Sequence, residues 1–353
     1  MVAVAICLPV YNGDRFLRDA LESVLAQTFG DFELIAVDDC SSDSSRAILS
    51  EYAQRDPRIR VIFNENNLGL FQNYNRCLNE AKAAFIKPFA QDDILAPTML
   101  EKVVAAFGRY PTARLISTGK RWLGTNGETL KTFELFKENT LVSSWEVITY
   151  NLIQLSNWVG EPSTVTFRSE YRGTGFDTTL FHYGDIDYWF RIIEGGDYLY
   201  LNDTLCGFRR HEGSATSKNL SGMYFALDVL KMGAKYRTYL DQLGESEQHF
   251  AQRAVEQIAM NVDHLVRNES LNLEACLKAR PSQMPIDEAA AFKELAFDAC
   301  RYVTTLLERI SALEHQMADQ KRHHELQLND IHQSTSWKLT APLRHFARAR
   351  SGS

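Results

Sequence analysis

The chain has 353 residues, 45% hydrophobic and 24% charged, an ordinary globular composition that allows one large domain with an appendage or two domains. A formal net charge of −7 excludes a nucleic-acid binder that works through overall basicity. The cysteines (Cys7, Cys40, Cys77, Cys206, Cys276 and Cys300) form no C-x-x-C pair, which excludes a zinc ribbon and a disulfide framework and fits a reducing compartment.

The N-terminal "MVAVAICLPVYNG" is apolar but short, lacks a basic flank and is broken by "PVYNG". No window holds the ~18 uninterrupted apolar residues of a membrane span, so the expected location is the cytoplasm. Residues 4–10 are a continuous apolar run of strand length. Residues 15–28 carry Phe16, Leu17, Ala20, Leu21, Val24 and Leu25 at helical spacing. A second strand follows at 32–39 and a helix at 44–55, with Ser41, Ser42 and Asp43 as cap residues. Then come a strand at 60–65, a helix at 70–81, a strand at 84–90 and, further on, a strand at 163–168. Apolar strands alternating with helices predict a parallel sheet covered on both faces.

Ligands of such sheets bind at the carboxyl ends of the strands. There the chain places "PVYNG", "DDCSSD", "NENNLG" and "QDD" after its first four strands. No G-x-G-x-x-G follows the first strand and no G-x-x-x-x-G-K-[ST] occurs, which disfavours the dinucleotide fold and the P-loop NTPases. The adjacent carboxylates Asp92 and Asp93 read either as a solvated turn or as a cation site, where a divalent metal offsets their repulsion.

The ordered blocks "LPVYNGDRFLRDALESVLAQTFGDFELIAVDDCSSDSS", "NNLGLFQNYNRCLNEA", "QDD", "GEPSTVTFRSE", "YGDIDYWFRI" and "FRRHEGSAT" resemble family 2 glycosyltransferases over roughly residues 3–216. The resemblance implies a GT-A fold: an α/β, Rossmann-like, nucleotide-diphosphosugar-binding domain with a mostly parallel sheet. It implies inverting sugar transfer assisted by Mn²⁺ or Mg²⁺. Pro9, Val10 and Tyr11 match residues lining the base pocket, and Asp39 the carboxylate that accepts the pyrimidine N3–H. Asn67 falls in the block that shapes the nucleotide site. Asp92 would face the ribose and Asp93 would bind the metal, while Gln91 stands where many members have Asp. Asp185 matches the base that takes a proton from the acceptor hydroxyl, although as a residue at a helix start it also reads as an N-cap. Many relatives have Glu-Asp where this chain has Gly184-Asp185. His211 matches a metal ligand, or is a loop histidine bonded to backbone. Arg209, Arg210 and Ser214 would contact the diphosphate. Trp158 reads as a platform for the acceptor sugar or as core.

From about residue 220 the pattern turns helical. Ala296, Ala299, Val303, Leu306, Ile310, Leu313 and Met317 form a short heptad seam that could pair two copies or pack back on its own domain. The last segment, 334–350, interleaves Lys338, Arg344, Arg348 and Arg350 with Trp337, Leu339, Leu343 and Phe346. It reads as an interfacial segment drawn to anionic lipid, or as a frayed basic tail. The expected organisation is a glycosyltransferase domain over 1–218, a helical region over 219–333 and a basic tail over 334–353. The expected function is transfer from a nucleotide-sugar, UDP-sugar first and dTDP-sugar second, to a glycan or lipid-linked acceptor in bacterial surface-polysaccharide or O-antigen synthesis at the inner face of the membrane. A nucleotidyltransferase with a similar sheet and a non-catalytic scaffold are the alternatives.

Overall fold

The computed structural model describes residues 2–211, Ser214, Asn219, 224–246, 248–250, 252–254 and 256–257. The heptad seam and the basic tail lie outside the described residues. The first half alternates as predicted: β1 (Val4–Val10), α1 (Asp14–Leu25), β2 (Phe32–Asp38), α2 (Ser45–Arg55), β3 (Ile59–Phe63), α3 (Leu70–Glu80) and β4 (Phe85–Pro88). A short β5 (Ile94–Leu95) leads into α4 (Met99–Arg109), followed by β6 (Ala113–Leu123), β7 (Thr129–Phe133), β8 (Thr140–Ser143) and α5 (Ser144–Gln154). Then come β9 (Val165–Arg168), α6 (Gly184–Ile193), β10 (Asp197–Arg209), α7 (Tyr224–Lys235) and α8 (Arg237–Gln242).

The strands form one sheet in the order β3-β2-β1-β4-β9-β6-β10-β5, with β7 beside β6 and β8 beside β10. β1 pairs in parallel with β2 and β4, and β2 with β3; β9 runs antiparallel between β4 and β6. Successive side chains of a strand point to opposite faces. Val4, Ile6, Leu8 and Val10 therefore pack with α1, α2 and α4, whereas Ala5 and Cys7 join the core under α3, α5 and α6. Because both faces are covered, both sets are apolar, which is why β1 reads as an unbroken run. Parallel pairing brings the ends of β1, β2, β3 and β4 to one edge, and the four polar loops meet there.

Beyond residue 218, Val229, Met232, Tyr236 and Leu240, from and beside α7 and α8, belong to the same core cluster as Ile186, Phe190 and Ile193 of α6. The first part of the expected helical region therefore packs on the sheet domain.

One buried lysine, which burial lowers to about 7, ties this core to the cleft edge. Lys87 of β4 is fully buried, and its Nζ donates to the carbonyls of Pro88 (3.0 Å), Pro162 (3.2 Å), Ser163 (2.5 Å) and Val165 (3.0 Å). An apolar side chain would leave these carbonyls without their donor, at ~1–3 kcal/mol for each group left unsatisfied. Lys87→Met is expected to destabilise the fold by about 2–4 kcal/mol, once relaxation and entry of water are allowed for. Urea denaturation checks this; an unchanged midpoint would show that the carbonyls find other donors.

Candidate active site

The loops after β1 and β4 are clamped together by a reciprocal pair of hydrogen bonds. Tyr11 N–H donates to Gln91 Oε1 at 2.8 Å, and Gln91 Nε2 donates to the Tyr11 carbonyl at 3.0 Å. A Cβ at position 13 would come within 2.4 Å of Gln91 Oε1, so glycine at 13 is what lets the two loops close. Gln91 therefore has a structural task that its mismatch to Asp conceals.

On one side of this clamp lies a cleft of about 420 Å³ whose walls include Pro9, Val10, Tyr11, Asp39, Asn67, Asp92, Asp185 and Ser214. On the other side a space of about 700 Å³ is lined by Tyr11, Arg15, Gln91, Asp92, Arg210 and His211. Tyr11, Gln91 and Asp92 border both, so the two spaces adjoin along the clamp and form one groove.

Asp39 is buried and holds the loop after β3. Its Oδ1 accepts from Asn64 Nδ2 and Leu68 N–H, both at 2.8 Å, and its Oδ2 from Gly69 N–H at 2.9 Å. A carboxylate has about four lone-pair sites, so one acceptor position is left for a ligand N–H. Asn67 fixes the same loop by donating to the Asp39 carbonyl at 3.2 Å.

The two adjacent carboxylates diverge. Asp92 is partly exposed, and its Oδ2 lies 2.8 Å from His211 Nε2. Asp93 is only 1% exposed and its Oδ1 accepts the Arg209 N–H at 2.9 Å. Burial, and next the neighbouring Asp92 charge, push the Asp93 carboxyl well above the usual carboxylate range. Of the two, expected as ribose contact and metal ligand respectively, Asp92 is the one in the groove beside His211, and Asp93 is buried. Arg209, expected at the diphosphate, borders the main cleft. Its side chain is 1% exposed and donates to the carbonyls of Asp92 (2.9 Å) and Gly124 (3.2 Å) and to Asp19 Oδ2 (3.2 Å). It fastens the Asp92–Asp93 turn to β10. Arg210 is exposed, stacks on Trp122 at 4.7 Å and lines the groove with Arg15, which the sequence motifs did not single out.

The Asp92–His211 pair fits a divalent cation. Its 2.8 Å separation is close to the edge of an octahedron with bonds of ~2 Å, and the mixed oxygen–nitrogen donor set suits Mn²⁺. Among the described residues no third His, Cys, Asp or Glu joins them as a cluster. Further ligands would then be substrate oxygens and water, the usual arrangement at diphosphate sites.

In the same cleft as Asp39, Asp185 stands in the first turn of α6. Its Oδ1 accepts from Ile186 N–H at 2.8 Å and its Oδ2 from Asn157 Nδ2 at 3.0 Å. Burial pushes its carboxyl up to about 7; the Ile186 N–H opposes this, Glu161 adds to it, and Lys120 opposes it. His182 also lines this cleft, and burial lowers it to about 4, so the ring is neutral near pH 7. Gly184 is needed against α3: a Cβ there would come within 2.4 Å of the Phe71 ring, which itself lines the cleft. Asn157 and Glu161 were not singled out by the motifs, since only the fold brings them to Asp185, whereas His182 lies three residues before it in the chain.

A second cavity of about 310 Å³ lies beyond Asn157, with Lys120, Phe133, Trp158 and Tyr200 in its walls. Trp158 is 39% exposed and meets Tyr150 edge-on at 4.7 Å. Lys120 reaches out of this cavity to pair with Glu161 at 2.5 Å, and Glu161 lines the main cleft.

The mixed α/β fold with its central sheet is that of GT-A glycosyltransferases. Residues 5–154 match the family model described as Glycosyl transferase family 2, and the chain carries a family 2 glycosyltransferase domain. TuaG of Bacillus subtilis (strain 168), named for teichuronic acid biosynthesis, is 28% identical over 215 residues, which are 61% of this chain and 81% of TuaG. Other curated relatives are covered less fully: the chain spans 42% of EpsE of Bacillus subtilis and 13% of y4gI of Sinorhizobium fredii. Among solved structures, TarS 1–349 of S. aureus, crystallised with UDP-GlcNAc, superposes with a TM-score of 0.54 at 18% identity, covering 87% of this chain and 92% of that one. The mannosyltransferase PcManGT of Pyrobaculum calidifontis, in complex with GDP-Man and Mn²⁺, gives 0.54 at 15% identity, with 90% and 88% covered. At these identities the likeness concerns the fold.

Proposed function

We propose that the protein is a metal-dependent inverting glycosyltransferase that moves a sugar from a nucleoside-diphosphate-sugar to a hydroxyl of a glycan acceptor. The carrying observation is that Asp39, Asp92 and Asp185 line one cleft, and that Asp92 also borders the adjoining space where it meets His211. Pro9, Val10 and Tyr11 would hold the base, with the remaining Asp39 lone pair on a pyrimidine N3–H, which favours UDP and then dTDP. Asp92 and His211 would hold Mn²⁺ or Mg²⁺, with Arg15, Arg210 and Ser214 near the diphosphate. The cation offsets the negative charge that builds on the departing diphosphate. Asp185 removes the proton from the acceptor hydroxyl as its oxygen bonds to the anomeric carbon. The bond from that carbon to the diphosphate oxygen breaks, and its electron pair leaves with the diphosphate. Attack opposite the leaving group inverts the anomeric centre. A base half-ionised near pH 7 is matched to that task.

The acceptor sugar would approach from the side of Asn157, against Trp158 and the second cavity. The sugar moieties of UDP-GlcNAc and GDP-Man, bound by the two structural neighbours, are uncharged, and Asp39, Asp92, Glu161 and Asp185 in the main cleft favour an uncharged sugar moiety over an anionic one here too. Among the described residues no helix is long and apolar enough to cross a membrane. The proposed route to a lipid-linked acceptor is the basic tail, and surface polysaccharide remains the proposed product class, as TuaG's name supports.

A panel of UDP-, dTDP- and GDP-sugars, each with and without Mn²⁺, tests the donor. Binding to the native state raises the melting temperature by mass action, so the true donor is expected to stand out and to need the ion. NMR of the product gives the anomeric configuration. Retention, or stabilisation indifferent to Mn²⁺, would sink the reading.

A further inference from the structure

The base helix is held from outside the sheet. α6 begins at Gly184, and its N-cap residue, Tyr183, supplies no side-chain cap. The acceptor comes from α7 instead. Asp228 is fully buried, and its Oδ2 accepts three consecutive backbone N–H groups: Phe181 at 2.8 Å, His182 at 2.5 Å and Tyr183 at 2.9 Å. Asn219 adds a fourth hold on this loop, donating to the Phe181 carbonyl at 2.6 Å. Just beyond Asp185, the other end of α7 grips α6 again. Asp187 is buried; its Oδ1 accepts from Lys235 Nζ at 2.7 Å and from the Tyr236 hydroxyl at 2.9 Å. Asp185 therefore sits between two anchor points, residues 183 and 187, both fixed by one helix that lies outside the matched family segment of 5–154.

We propose that Asp228 is a positioning residue for catalysis: by gathering the N–H groups of residues 181–183 it sets the first turn of α6 and so the direction of the Asp185 carboxylate. This rests on the reading of Asp185 as the base. Backbone groups before a helix turn freely unless an acceptor holds them, and one oxygen with three donors leaves little freedom. Misplacing a reacting group by ~1 Å costs on the order of 10²-fold in rate. Asp228 itself does not line the groove, so its removal should spare the donor.

The test compares full-length Asp228→Ala, Asp228→Ser, Asp228→Asn, Asp185→Asn and the double variant Asp185→Asn with Asp228→Ser. Single-turnover rates and calorimetric UDP–Mn²⁺ affinity are measured well below each variant's melting temperature. Asp228→Ala is expected to lose about 10²-fold in kcat with UDP–Mn²⁺ affinity within ~3-fold of the parent. Asp228→Asn keeps an acceptor oxygen and should recover most of that rate. If Asp228→Ala does not fold, Asp228→Ser, whose shorter side chain draws the acceptor back from the three N–H groups and should also slow turnover, decides through its double variant. A residue acting through Asp185 adds no further loss once Asp185 is Asn, whereas an independent structural role adds its full loss. Additive losses, an unchanged kcat in Asp228→Ala, or a loss of UDP–Mn²⁺ affinity that parallels the rate would each overturn the inference. An active Asp185→Asn would instead overturn the base assignment, which separates the two failures.

Discussion

Asp185→Asn lowers kcat by about 10²- to 10⁴-fold and leaves UDP–Mn²⁺ binding nearly intact. Asn keeps the shape and can still accept the Ile186 N–H, so α6 should not move. What disappears is the group that receives the proton, and that loss is felt in the transition state. The pH dependence follows from the raised pKa. In the parent the base is ionised only above about 7, so kcat should climb with pH up to that point and then level off. The variant should show no such limb. Stability moves the opposite way. The folded carboxyl titrates near 7 and the unfolded one near 4, so its contribution is fully present in acid and is lost as pH rises through 7. Asn carries no charge to bury, and the variant should therefore melt higher than the parent at pH 8, with a smaller advantage at pH 5. Melting curves at both values, run beside the kinetics, check the sign. Normal kcat combined with weak UDP binding would make Asp185 a helix cap.

Asp92→Ala removes the Mn²⁺ dependence of UDP binding and lowers kcat/KM by about 10³-fold, the scale of several kcal/mol of charge stabilisation. Asp92 reaches into the groove and faces His211 at 2.8 Å. His211→Ala should weaken the ion by a smaller factor, because Asp92 and substrate oxygens remain. Asp93→Asn is the contrasting variant. It preserves an acceptor for the Arg209 N–H and removes a carboxyl that lies beneath the groove. Its metal dependence should match the parent's. Calorimetric titration of UDP with and without Mn²⁺ separates these cases. Metal dependence lost in Asp93→Asn but kept in Asp92→Ala would restore Asp93 as the ligand.

The sequence by itself determined the alternation of β1 to β4 with their helices, because apolar spacing is a local property that both faces of the sheet impose. It also determined that "PVYNG", "DDCSSD", "NENNLG" and "QDD" share an edge, since parallel strands all end on the same side. The later motifs placed Asp185 and His211 near that edge through their likeness to a family. Only the tertiary structure decided which of Asp92 and Asp93 enters the groove, since alternate directions in a turn leave no periodic trace. It alone showed that Arg209 is a buried fastener whose bond to Asp19 spans 190 positions. Lys87, Asn157, Glu161 and Asp228 were silent for the same reason. Each takes its role from a partner at least 28 residues away, apart from one Lys87 bond to the adjacent Pro88. Such pairings are chosen by how helices and strands pack, which spacing along a chain does not encode.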